Sequence, residues 1–116
     1  MASHNDLGKE GELIAFHFLK ESGFNIVATN WRWQKAEVDL VIQEEETVVF
    51  VEVKTRSSNK YGSPMDAITP KKQLLLQDAA EAYLAEHQLD LEIRFDAISI
   101  ILDEKEGVIE HIKNAF

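Results

Sequence analysis

The sequence predicts an α/β domain on a mixed β-sheet, with element order αβββαβ(β) and a helix on each face. Three observations carry this expectation. The start of the chain repeats apolar residues at helical spacing, and apolar, β-branched runs recur at Ala36–Ile42, Val48–Val53 and Phe95–Leu102. A helix start, Thr69-Pro70, falls between the second and third runs, so that strand–helix–strand step should be a right-handed parallel crossover. The length of 116 residues suits one domain, residues 1–116, with a single core.

The elements follow in order. Residues 5–22 read as an amphipathic helix whose start Asn5 or Asp6 can cap, and which Gly23 can end. Leu7, Gly11, Ile14, Ala15, Phe18 and Leu19 form its apolar face. Glu12 flanks that face, where it is either a solvated helix glutamate or a carboxylate reaching toward the sheet. Phe24 to Trp33 reads as a strand with an imperfect pattern at Asn25, Ala28 and Asn30. Trp31 and Trp33 share a face, and packing against the sheet is favoured over base stacking. Gln34-Lys35 is a turn.

In the second strand, Ala36 to Ile42, Glu37 and Asp39 share one face while Val38, Leu40 and Ile42 share the other. Glu44-Glu45-Glu46 is a polar hairpin tip. Folding the hairpin about Glu45 sets residue 38 opposite 52 and 39 opposite 51, to within a residue or two. The return strand ends in Glu52-Val53-Lys54, with Phe50, Glu52 and Lys54 on one face. Two carboxylates and a lysine therefore gather at one end of the hairpin. Charge on a core strand costs several kcal/mol per ion unless it is paired or bound to metal. The plain alternative is a Glu–Lys ion pair at a frayed strand end.

Residues 55–69 form a loop without periodicity, of a length that tends to be functional or mobile. The helix after Thr69-Pro70 runs to about His87 and buries Leu75, Leu76, Ala79, Ala80 and Tyr83. Lys71 and Lys72 sit in its first turn, the unfavourable end for the helix dipole, so they are either a solvated pair or a phosphate site. Phe95 to Leu102 is a core strand, Asp103 to Gly107 a turn, and Val108 to Ile112 a short last strand.

Composition limits the function classes. Apolar residues make up 45% and charged residues 28%, which is a globular balance. The absence of cysteine excludes disulfides, a thiolate nucleophile and a cysteine zinc site. No apolar run is long enough to cross a bilayer, and the first residues lack a signal-peptide pattern, so a cytoplasmic location without a membrane partner is expected. The net charge of −9 weighs against a nucleic-acid partner. Its distribution weighs the other way. Between Lys54 and Lys72 stand five basic residues, Lys54, Arg56, Lys60, Lys71 and Lys72, against the single acid Asp66.

Magnesium favours oxygen ligands and takes one or two carboxylates plus substrate phosphate oxygens. Asp39 and Glu52 supply such a pair, and Glu12 and Glu37 can add ligands or hold waters. Lys54 would then orient or deprotonate a water, or offset charge on a scissile phosphate. Arg56, Lys60, Lys71 and Lys72 are the candidates for flanking phosphates. The four histidines fit no part of this arrangement.

These residues resemble a known pattern. It is carried by Gly11-Glu12-Leu13-Ile14-Ala15, Asn30-Trp31-Arg32, Glu37-Val38-Asp39-Leu40, Val49 to Arg56, Lys71-Lys72-Gln73 and Arg94-Phe95-Asp96. From Gly8 to about Ile100 the chain is similar to the YraN-like family of endonuclease-like proteins. That family lies in the PD-(D/E)XK nuclease superfamily and is related to archaeal Holliday junction resolvases. The resemblance implies a restriction-endonuclease-like core and metal-dependent cleavage of DNA with Mg2+ or Mn2+, branched or junction DNA included. It implies catalytic positions at Glu12, Asp39, Glu52 and Lys54, with Asp39, Glu52 and Glu12 toward the metal. It also implies a homodimer, because a four-way junction presents two symmetric cleavage points. Ala36 departs from the pattern, which usually has glycine before the Glu-x-Asp. The alternative function is a module that keeps this fold and binds nucleic acid or a protein without cutting.

Overall fold

The computed structural model describes residues 4–57, 68–102 and 107–116. The expected loop stretch 58–67, which carries Lys60, and the turn at 103–106 lie outside the described residues, as do the side chains of Asn5 and Asp6. Among the described residues, two helices and five strands follow the expected order: α1 His4–Glu21, β1 Asn25–Trp33, β2 Ala36–Glu44, β3 Thr47–Arg56, α2 Pro70–Glu86, β4 Glu92–Leu102 and β5 Gly107–Ile112. They form one sheet of order β1-β2-β3-β4-β5. β1, β2 and β3 make an antiparallel meander, β4 runs parallel to β3, and β5 returns antiparallel along β4.

Local sequence sets the element ends. Gly23, at φ 93°, takes the left-handed turn that stops α1. Its N–H donates to the Lys20 carbonyl and the Phe24 N–H to the Leu19 carbonyl, which satisfies the last helical acceptors. At the other helix, the Thr69 hydroxyl accepts from the Lys72 N–H at 3.2 Å, and Pro70 opens the first turn without a donor to waste.

The sheet separates two apolar layers. On one face Ala15 and Leu19 of α1 pack on Leu40, Ile42, Val49, Val51, Ile98 and Ile100. On the other, Leu76, Ala80 and Tyr83 of α2 pack on Val38, Val41, Val48, Phe50 and Phe95. Trp31 meets Tyr83 edge to face at 5.2 Å, so this indole packs under the sheet as expected. α1 comes unusually close to β3 at Gly11. A Cβ there would overlap the Thr55 hydroxyl and come within 2.7 Å of the Thr55 Cβ, so only glycine lets the helix settle at this depth.

One expectation is sharpened within its stated margin and one is corrected. The β2–β3 register is one residue off the sequence reading, with Leu40 opposite Val51. The turn is the two-residue Glu45-Glu46, with Glu45 at φ 53°, rather than a pivot on Glu45 alone. Asp39 is thereby level with Glu52. The face assignment of β2 also changes: Val38 packs on the α2 side while Leu40 and Ile42 pack on the α1 side. The alternation slips at Asp39, and at the same level of β1 Asn30 takes φ 49°. A left-handed residue kinks a strand and re-aims side chains beside it.

Candidate metal and nuclease site

The site lies where β2 and β3 part company. Their ladder ends at Leu40–Val51, and beyond it the Val53 N–H donates to Asp39 Oδ2 at 2.8 Å. A backbone N–H points along the plane of its sheet. The Asp39 carboxylate therefore stands in the seam between the strands, in the place of the main chain that β2 no longer supplies. Glu12 hydrogen-bonds the same carboxylate from α1. The seating of α1 at Gly11, one residue before Glu12, sets how far that carboxyl reaches.

Glu52 is buried on the α2 side of β3, 4% exposed. Lys72 Nζ lies 3.0 Å from its Oε2, whereas its Oε1 is buried without a hydrogen-bond partner among the described residues. Lys54 follows on the same face of β3 and lies level with Ser99 of β4. Both β3 and β4 present their C-terminal ends here, the usual ligand-binding edge of parallel strands.

The electrostatics are those of crowded, dehydrated acids. Burial, together with the neighbouring Asp39 charge, pushes the Glu52 carboxyl up to about 7 against the pull of Lys72 and Lys54. Burial also raises Asp39, although the Val53 N–H, Glu12, Lys72 and Lys54 favour its charged form. Glu12 is raised by burial and by Asp39, with Glu37 adding to the effect. A cation among these oxygens would relieve all three.

The structure thus brings together Glu12, Asp39, Glu52 and Lys54, and adds Lys72, which the sequence reading assigned only to flanking phosphates. The other candidates lie outside this cluster, Glu37 acting on it through its charge on Glu12. Glu37 is paired at the surface with Arg32 at 3.2 Å. Lys71 is exposed on the first turn of α2, and Arg56 is half-buried at the end of β3. Sequence reasoning missed the Val53 main-chain donor and the kink at Asn30. The imperfect alternation at Asn30 was the available signal for the kink, and nothing in the sequence marked the donor.

An open groove of about 820 Å³ leads to this seam from the α1 side. Lys9, Glu12, Phe16, Asn30, Arg32, Glu37 and Asp39 line it, and Glu52 and Lys54 do not. Among the described residues no three histidine, cysteine, aspartate or glutamate side chains form a ready-made metal cage. The donor set still fits a hard cation. It offers two neighbouring carboxylates, one with a buried oxygen lacking a partner, and magnesium completes its sphere from water and substrate oxygens.

Fold and site together define an α/β domain with an acid–acid–lysine cluster at the C-terminal edge of its central strand. The model of the uncharacterised protein family UPF0102 matches residues 11–100. The chain belongs to that family, the YraN family. It is 51% identical to a UPF0102 protein of Flavobacterium psychrophilum over 100% of this chain and 98% of that protein. It is 44% identical to one of Christiangramia forsetii, over 100% of this chain and 98% of that protein. A third, from Parabacteroides distasonis, is 41% identical over 100% of this chain and 96% of that protein. No helix among the described residues is long and apolar enough to cross a membrane.

Proposed function

We propose that this protein is a metal-dependent nuclease that hydrolyses phosphodiester bonds of DNA, with branched or junction DNA as the favoured substrate. The observation that carries the reading is the pair Asp39 and Glu52 on adjacent strands, near enough for the Asp39 charge to raise the buried Glu52 carboxyl, with Lys54 on the same strand end as Glu52. Asp39 and Glu52 would hold Mg2+ or Mn2+. When bound, that ion supplies Lewis acidity toward the phosphodiester.

The chain's own groups do the rest. The Lys54 ammonium is a donor toward developing phosphate charge and can orient a water for attack. The Val53 N–H fixes one Asp39 oxygen. Glu12 holds the Asp39 carboxylate in place through a shared hydrogen bond. The groove between α1 and β1, with Lys9 and Arg32 on its walls, gives a phosphate backbone a path to the seam.

The test is cleavage of supercoiled and four-way-junction DNA with Mg2+ or Mn2+. Asp39→Asn and Lys54→Met should each lose at least about 100-fold in rate, the scale expected of electrostatic and acid–base groups. Full activity in both variants would sink the proposal. The second reading, a module that binds without cutting, is motivated by the thin basic patch on a chain of net charge −9 and would show salt-dependent DNA binding with no cleavage.

A further inference from the structure

Lys72 holds one oxygen of the carboxylate that the proposed chemistry would give to a metal. Its Nζ is 3.0 Å from Glu52 Oε2, and its charge also acts on Asp39. A lysine from α2 therefore already neutralises the carboxylates that would receive a divalent ion. Its place on its own helix does not favour a cation. It occupies the first turn of α2, where the helix dipole is positive and no acid stands. Its main chain is pinned by the Thr69 cap, but its side chain is 35% exposed and so has solvent to turn into.

Two cations cannot share one buried carboxylate cheaply, because their repulsion is poorly screened in a low-dielectric seam. We propose that Lys72 is a built-in counter-cation: a divalent ion displaces its ammonium from Glu52, and the freed ammonium turns outward to a phosphate oxygen of the nucleic acid. This rests on the metal reading of Asp39 and Glu52 given above and adds an exchange of cations to it. Metal loading and phosphate binding become linked, each strengthening the other. Lys72 is a positioning residue here, since it acts through Glu52 and the incoming phosphate.

The experiment measures Mn2+ affinity by the electron spin resonance of free Mn2+, on the full chain without nucleic acid. The proteins are wild type, Lys72→Met, Lys72→Arg and Asp39→Asn. With its competitor removed, Lys72→Met should bind Mn2+ about 10-fold more tightly than wild type, a difference of about 1.4 kcal/mol. Lys72→Arg, which keeps the competing charge, should stay near wild type, and Asp39→Asn should lose affinity. Equal or weaker binding in Lys72→Met, with wild-type binding intact, would overturn the counter-cation while leaving the metal site standing. No binding by any of the four would overturn both.

A second readout tests the hand-off. DNA affinity is measured against salt concentration with and without Ca2+. With Ca2+ the wild type should show a log–log slope steeper by about one than Lys72→Met, the signature of one extra phosphate contact. Without Ca2+ the two slopes should agree. Identical slopes in both conditions would remove the hand-off.

Discussion

Glu52 sits at the centre of the residue-scale energetics. Its carboxyl ordinarily ionises at 4.5 and is pushed up to about 7 in the folded chain, by burial first and by Asp39 second. A raised folded value means that the folded protein binds the proton more tightly than the unfolded one. The resulting stabilisation is complete below pH 4.5 and is lost by about pH 7. The shift is on the order of 3 kcal/mol. Chemical unfolding at pH 5 and pH 8 should therefore show wild type weaker at pH 8. Glu52→Gln should shrink that difference by as much as this amount. A pH dependence equal to wild type would show Glu52 to be solvated or neutralised otherwise.

Asp96 has the opposite sign. Burial alone would raise it, but His111, Arg94 and the Asn114 N–H bond its two oxygens at 2.7–3.0 Å and hold it below the ordinary carboxylate range. It is fully buried, and these bonds tie β4 to β5 and the C-terminal residues. Asp96→Ala removes the acceptor of the His111 ring and the Asn114 N–H and one of the two carboxylates on Arg94, which keeps Glu44, and should cost about 1–3 kcal/mol in denaturant unfolding. The contribution of Asp96 persists above pH 3.8 and is lost as pH falls through its lowered value. Because these bonds run to β5 and the C-terminal residues, the cluster holds the sheet edge.

At the scale of elements, the depth of α1 on the sheet decides whether Glu12 reaches Asp39. Gly11→Ala gains about 1 kcal/mol in helix propensity but forces a methyl into Thr55. Overpacking of this kind costs about 1–3 kcal/mol, so net destabilisation is expected. Thr55→Gly in the same chain should recover most of the loss, and a double-mutant cycle measures the coupling. Additive effects would mean that the helix and strand do not press on each other. The β1–β2 kink is the second such device. At Asn30 and Asp39 both strands change which side chains face which layer, and this frees the Asp39 carboxylate for the Val53 N–H.

Across the whole molecule, a cation bound in the seam would link stability to divalent ions. Mg2+ at about ten times its dissociation constant should stabilise the wild type by about 1.4 kcal/mol, seen as a Tm higher by several degrees. Asp39→Asn should show no such rise. The effect should be larger at pH 8 than at pH 6, because Glu52 must shed its proton to receive the ion and does so at about 7. A rise equal in the variant would place the ion elsewhere.

Much of this is legible in the residues alone. The helix and strand periods, Gly23 and Thr69-Pro70 suffice to order the elements and the sheet, because each rests on residues close in sequence. Asp39, Glu52 and Lys54 stand out because charge on an apolar strand is costly wherever the strand packs. What escapes the sequence is long-range. The hairpin register turns on whether one or two residues make the turn, and a slip of one changes every partner. The kink at Asn30 depends on a backbone angle that asparagine tolerates but does not demand. The place of Lys72 depends on how α2 lies over the sheet, which joins residues 52 and 72 across a long connection. Local chemistry therefore wrote the list of elements and the charged residues worth watching. Tertiary packing alone decided which carboxylate meets which amine, because those contacts are made by groups distant along the chain and only the closed sheet sets their spacing.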